Sequence, residues 1–287
     1  MTSVGLGVLL FAGFVAYISR SIPHPFAAEF PKTITLNPNA IEAKAALVYD
    51  PAEHRILFQK NAATSLPLAS LTKLMSAQAV LNKIPDTRSV TITSEDLKPE
   101  GDWGFAVGDI VKISDLIKMS LIASSNDAMA AAAASLGDEY LNEMNSTAGH
   151  LGLSNTYFLN PTGLDLSEDT AGAYGSAYDV ARLTAAFMRE YPEYFELTSQ
   201  GKVTIQDGAR TLSAPATALP LDSIPGFIGA KTGYTDLAGG NLVAAFDIDI
   251  GHPLIIVVLG SSEKGRFTDV QHLIDATRST PALSASI

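Results

Sequence analysis

Apolar residues recur along this chain in different rhythms, and the changes of rhythm mark its elements. The first rhythm is unbroken: no side chain from Met1 to Ser19 is charged, and Val4 to Ile18 (VGLGVLLFAGFVAYI) is almost wholly apolar. At ~1.5 Å per residue such a run reaches roughly 28 Å, close to the hydrocarbon thickness of a bilayer. It predicts an N-terminal transmembrane anchor or uncleaved signal over 1–20. A cleaved signal peptide fits less well, because no Lys or Arg precedes the run and no A-x-A site follows it. Arg20, Lys32 and Lys44 all follow the span, which does not favour export of the C-terminal side. Residues 21–43 carry Pro23, Pro25, Pro31 and Pro38 with little periodicity, and read as a juxtamembrane linker.

From residue 44 the pattern becomes that of a folded domain, predicted as one unit over 44–287. Ala45 to Tyr49 and Ile56 to Gln59 are short strand-like runs around Asp50-Pro51, which suggests a hairpin. Leu71, Leu74, Met75, Gln78 and Leu81 share one face of a helix beginning near Ser70. Ser114-Asp115 opens a second helix, Asp127 to Leu136 forms an alanine-rich third ended by Gly137, and Tyr178 to Tyr191 a fourth. Strand patterns return at Phe227 to Thr232, Asn241 to Phe246 and Leu254 to Leu259, with Asp247 to Pro253 as a hairpin loop between the last two. Asp269 to Arg278 reads as a closing helix. Strands at both ends with helices between predict an α+β fold: an antiparallel sheet built from both chain ends, with flanking helices and a helical insertion.

Composition narrows the chemistry. Lys and Arg number 19 against 30 Asp and Glu, so the formal charge is 19 − 30 = −11, which argues against nucleic acid as a partner. The absence of cysteine excludes disulfides, Cys-ligated zinc, Fe–S clusters and thiol catalysis. His24, His54, His150, His252 and His272 show no metal-ligand spacing, and no G-x-S-x-G elbow supports a Ser-His-Asp triad. Surface or capping roles are expected for these histidines, and no metal or cofactor is implied.

The serines are more informative. Ser70 and Lys73 lie three apart at a helix start, so their side chains share a face and can meet. A lysine that loses its proton on burial can activate the hydroxyl, and the helix N-terminus suits a developing oxyanion. Alone, such a pair is as well explained by a cap and a solvent lysine. Ser124-Ser125-Asn126 breaks two helices, which also fits a plain loop with Asn126 as N-cap. Lys231-Thr232-Gly233 ends a strand, where the glycine would let a ligand lie close. Ser-x-x-Lys, Ser-x-Asn and Lys-Thr-Gly, in that order on helix, loop and strand, are much harder to attribute to chance.

With these motifs the chain resembles the penicillin-binding serine D-alanyl-D-alanine carboxypeptidases of the low-molecular-mass group. The resemblance extends through Leu47-Val-Tyr-Asp50, Leu57-Phe-Gln-Lys-Asn61, Ala69-Ser-Leu-Thr-Lys-Leu-Met75, Ser125-Asn-Asp-Ala128, Phe158-Leu-Asn-Pro-Thr-Gly-Leu164, Gly229-Ala-Lys-Thr-Gly-Tyr-Thr-Asp236 and Val257-Val-Leu-Gly260. It implies a β-lactamase/DD-peptidase-like fold and acyl transfer from a peptidoglycan stem peptide ending in D-Ala-D-Ala. Ser70 would be the nucleophile and Lys73 its base, held neutral by desolvation and by nearby Lys231. Ser124 would pass a proton to the departing D-alanine. Asn126 would orient Lys73 and hold the stem amide, while Lys231 and Thr232 grip the terminal carboxylate beside Gly233. The N–H groups of Ser70 and Tyr234 would form the oxyanion hole, with Arg266 assisting.

The same resemblance implies covalent inhibition by β-lactams and a bacterial, single-pass membrane protein whose catalytic domain is extracytoplasmic. A β-rich second domain and a C-terminal amphipathic anchor, frequent in the family, look absent. Ser-Ser-Asn stands where Ser-Gly-Asn is common. Two other readings are a class A-like β-lactamase and a non-catalytic penicillin-binding sensor. The first would need a glutamate in an E-x-x-L-N loop, and Gly163 to Ser176 offers only Glu168-Asp169.

Overall fold

Strand alternation sorts the apolar residues onto the two faces of one sheet. The computed structural model describes residues 33–280 apart from 102, 208 and 209. Five antiparallel strands, β1 (Ala45–Asp50), β2 (Arg55–Lys60), β3 (Phe227–Thr235), β4 (Gly239–Asp249) and β5 (His252–Ser261), lie in the order β3-β4-β5-β1-β2. On β1, Ala45, Leu47 and Tyr49 enter one apolar cluster and Ala46 and Val48 the other. Both faces are covered, so all six β1 residues are buried, and such a strand reads as a continuous apolar run.

The helical insertion covers the first face. It contains α1 (Thr72–Lys83), α2 (Ile113–Ile122), α3 (Asn126–Ala134), α4 (Tyr140–His150), α5 (Ala177–Glu190) and α6 (Pro192–Glu196). In α5, Val180, Leu183 and Phe187 recur on the core side, and Ser176 caps its start by accepting the Asp179 N–H at 3.1 Å. Helix α7 (Gly265–Arg278) covers the second face, its Val270, Leu273 and Ile274 clustering with Val48, Ile256 and Val258. The α+β reading therefore holds, with the sheet drawn from both chain ends.

Several elements run longer than their patterns predict. β3 continues to Thr235, while β4 and β5 extend until Asp249 pairs with His252, so the expected seven-residue loop shrinks to a tight turn at Ile250-Gly251. Helix α7 begins at Gly265, whose N–H donates to Ser262 Oγ at 3.0 Å; Arg266 thus falls in its first turn. The hairpin Lys202–Asp207/Arg210–Pro215 was not expected. Among its described residues only Val203, Ile205 and Ala214 are buried, too few apolar positions to stand out. The pair Ser89–Thr91/Ile110–Lys112 and the three short strands at Leu66–Pro67, Tyr157–Phe158 and Ala173–Gly175 went unread for the same reason.

The expected N-terminal span over 1–20 and residues 21–32 lie outside the described residues. Residues 33–43, the end of the expected linker, lie against the sheet: Ile34 N–H donates to Leu57 O at 2.9 Å, and Ile34 and Ile41 are buried. No helix among the described residues is long and apolar enough to cross a membrane.

Candidate active site

Ser70 sits in a single 3-10 turn, Ala69–Leu71, that runs directly into α1. Ala69 is held at φ +48°, a left-handed conformation that an L-residue adopts at a cost of about 1–2 kcal/mol. Packing holds the turn in place. Gly163, itself at φ +79°, lies so close that a Cβ there would overlap the Ala69 carbonyl. Gly233 on β3 is closely but less tightly placed, since a Cβ there would stand 3.0 Å from Ser70 N and 3.1 Å from both Ala69 Cβ and Leu68 O. Its missing side chain makes room for the nucleophile's own turn, whereas the motif alone suggested room for a ligand.

Lys73, one helical turn on, is completely buried. Its Nζ lies 2.8 Å from Ser70 Oγ, 2.6 Å from Asn126 Oδ1 and 3.1 Å from Thr162 O. The carbonyl of Thr162 can only accept, and Asn126 is fixed as an acceptor because its Nδ2 donates to Glu100 O. Ser70 is the one partner able to donate. A neutral amine, with two protons and one lone pair, satisfies this set: it donates to Asn126 and Thr162 and receives the Ser70 proton. Burial pushes Lys73 down from 10.5 to about 7. Desolvation is the main cause, and the charge of nearby Lys231 acts in the same direction because repulsion between the two amines is mutual.

The two acceptors are built locally. Asn160 Oδ1 accepts the N–H of Thr162 at 3.2 Å and of Gly163 at 2.7 Å, which turns the Asn160–Gly163 loop so that the Thr162 carbonyl faces Lys73. Between α2 and α3, Ser124 is held at φ +61°. Ser125, rather than Asn126, caps α3 by accepting the Ala128 N–H at 3.1 Å. Asn126 is thereby free to reach Lys73.

On β3, Lys231 is also completely buried, and its Nζ donates to Ser124 Oγ and to Thr232 O, both at 2.8 Å. Burial, then the charges of Lys73 and Arg266, push Lys231 well below its ordinary value. Thr232 is 3% exposed, and its Oγ1 donates to Thr217 Oγ1 at 2.6 Å. Tyr234 stands at the rim, half in solvent, and lines a cleft of about 540 Å³ with Lys98, Glu100, Asp165 and Asp236. Asp165 closes that cleft's base by accepting from Thr235 Oγ1 at 2.9 Å and Leu237 N at 3.2 Å.

Arg266 is buried behind this strand. Its Nη1 donates to Gly233 O at 2.7 Å, and its guanidinium stacks 5.0 Å from the Phe267 ring. It braces the Lys-Thr-Gly strand from the α7 side. Hydrogen bonds thus join Ser70, Lys73 and Asn126 in one set and Ser124, Lys231 and Thr232 in another, Gly233 brings the two together by lying against the Ser70 turn, Tyr234 follows on the same strand, and Arg266 lies behind it. Motif reading assigned no role to Thr162, Glu100 or Thr217. The first two act through backbone carbonyls, which any residue supplies, and Thr217 stands in a loop with no pattern of its own. Among the described residues no group of three His, Asp or Glu is placed to hold a metal ion.

A family model for D-alanyl-D-alanine carboxypeptidases matches residues 32–263. The D-alanyl-D-alanine carboxypeptidase DacC of Escherichia coli K12 is 32% identical over 279 residues, which cover 90% of this chain and 66% of that relative. The chain thus spans just under two thirds of its length. A D-alanyl-D-alanine endopeptidase of Pseudomonas aeruginosa is 32% identical over 247 residues, covering 82% of this chain and 74% of that protein. The crystal structure of penicillin-binding protein D2 from Listeria monocytogenes in the cefotaxime-bound form matches with a TM-score of 0.73 at 29% identity, over 84% of this chain and 98% of the other.

Proposed function

The chain belongs to the D-alanyl-D-alanine carboxypeptidase family of peptidases, and on that premise we propose that it removes the terminal D-alanine from peptidoglycan stem peptides through an acyl-enzyme on Ser70. The observation that carries the reading is the Lys73 amine, fully buried and 2.8 Å from Ser70 Oγ, with two obligate acceptors on its other side. Lys73 takes the Ser70 proton as Oγ attacks the carbonyl between the two D-alanines. The Ser70 N–H and the Tyr234 N–H on the edge strand hold the oxyanion. As the C–N bond breaks, Ser124 delivers a proton to the leaving amine and Lys231 supports that transfer. Asn126 holds Lys73 and the stem amide, and the Lys231–Thr232 end of the cleft receives the terminal carboxylate. Water, activated by Lys73, then hydrolyses the ester. β-Lactams acylate the same serine.

The lactamase reading has less support. It needs a glutamate working through water beside the serine. Glu168 is solvent-exposed on its loop, and the hydrogen-bond partners of Lys73 include no carboxylate among the described residues. Cross-link cleavage is a second reading of the same chemistry, favoured by the likeness to the Pseudomonas endopeptidase. The apolar run at 1–20 would tether the enzyme to the bacterial membrane through the proline-containing segment that follows it, with the catalytic domain outside the cytoplasm, where stem peptides lie. Loss of membrane fractionation on deleting 1–20 checks the tether.

The test of activity follows acyl-enzyme mass and free D-alanine while the protein is incubated with penicillin, a D-Ala-D-Ala pentapeptide or a cross-linked dimer. D-Alanine release with a long-lived penicilloyl adduct supports the carboxypeptidase. Cleavage of the dimer adds the endopeptidase activity. Rapid penicillin turnover without D-alanine release would turn the assignment to a β-lactamase. Neither adduct nor product would leave only a non-catalytic role, and full activity in Ser70→Ala would overturn Ser70 as the nucleophile.

A further inference from the structure

Beside Lys231 and Thr232, the more exposed of two hydrogen-bonded threonines belongs to a residue outside the three motifs. Thr217 lies in the loop between the Lys202–Asp207/Arg210–Pro215 hairpin and β3. Its N–H donates at 3.1 Å to the carbonyl of Ile122, the last residue of α2 and two positions before Ser124. Its Oγ1 receives the Thr232 hydroxyl at 2.6 Å. Thr217 therefore bridges the Ser-x-Asn turn and the Lys-Thr-Gly strand.

Exposure and proton counting then assign its part. Thr232 is 3% exposed, whereas Thr217 is half-buried, so Thr217 is the more accessible of the two. Two hydroxyls carry two protons, and their mutual bond uses one. The other has no acceptor among the described residues, so the pair offers one O–H to an incoming ligand. The fully buried Lys231 lies beneath, committed to Ser124 Oγ and Thr232 O. A carboxylate entering from solvent meets Thr217 first, and a hydroxyl donating to an ionised oxygen makes one of the stronger hydrogen bonds. We propose that Thr217 is the substrate-binding hydroxyl that receives the carboxylate of the terminal D-alanine, and of β-lactams, with Thr232 behind it as the residue that orients it. This inference rests on the proposed function and names the contact that site uses.

The experiment measures second-order acylation constants of the full chain with benzylpenicillin and with its methyl ester, which lacks the charged acceptor. Thr217→Val is expected to lose about tenfold to a hundredfold with the acid and to stay within about threefold with the ester, while Thr217→Ser keeps the wild-type ratio. An acid-to-ester ratio unchanged in Thr217→Val overturns the assignment, whether both constants fall or neither does. Circular dichroism checks folding; where the valine variant is unfolded, Thr217→Ala gives the same ratio reading. Wild-type protein that accepts neither ligand overturns the proposed function together with this inference. Wild type that accepts both, with a ratio indifferent to residue 217, removes only Thr217.

Discussion

The base proposed for acylation makes a prediction that joins rate to stability. Burial lowers Lys73 from 10.5 to about 7. At pH 7 a lysine of ordinary pKa has about one amine in 3,000 unprotonated, whereas Lys73 has about half. Its burial thus raises the competent fraction by about three orders of magnitude, and the same difference corresponds to about 5 kcal/mol of penalty on its charged form. Penicillin acylation should therefore fall below pH 7, by about 50-fold on reaching pH 5, followed by stopped-flow with a fluorescent penicillin. The linked stability has the opposite origin. Between pH 7 and 10.5 the unfolded lysine holds a proton that the folded one has lost, so folding stability rises with pH through that window and its titration contributes no slope below it. Lys73→Met removes this titration. Urea unfolding of wild type minus variant should gain about 1.4 kcal/mol per pH unit from pH 7.5 to 10, while the lost hydrogen bonds add only a constant offset. Parallel stability curves, or an acylation constant flat between pH 5 and 9, would refute the buried neutral amine.

Three further substitutions test the supports of the site. Gly163→Ala places a Cβ into the Ala69 carbonyl at a positive φ, so acylation should drop by more than about a hundredfold and the melting temperature should fall; a fully active variant would show that the turn does not depend on this packing. Arg266→Leu removes the brace on Gly233 O and should slow acylation about tenfold to a hundredfold without moving its pH midpoint, as measured by the same pH series. Ser125→Ala deletes the α3 cap and should cost about 1 kcal/mol, read as a few degrees in thermal unfolding.

What the sequence made legible divides by how a residue acts. Ser70 and Lys73 could be paired from spacing alone, because α-helical geometry brings positions three apart together whatever surrounds them. The catalytic segments could be ordered on helix, loop and strand, since apolar periodicity reports those elements directly. The neutrality of Lys73 could not be derived in the same way. It comes from complete burial, while the amine is positioned by the Thr162 carbonyl, placed by an Asx turn at Asn160, and by an Asn126 side chain left free because Ser125 takes the cap. Backbone carbonyls and cap choice carry no residue-type signature. The left-handed backbone at Ala69 and Ser124 is hidden for a related reason: the sequence shows an alanine and a serine where glycine would announce the conformation, and only surrounding packing holds them there. Gly233 shows the converse. Its identity was readable but its purpose was not, because the clearance it provides is toward Ser70, which reaches it only once β3 has packed against the nucleophile turn. The motifs therefore name the proposed reacting groups, while burial by long-range packing lowers the pKa of Lys73.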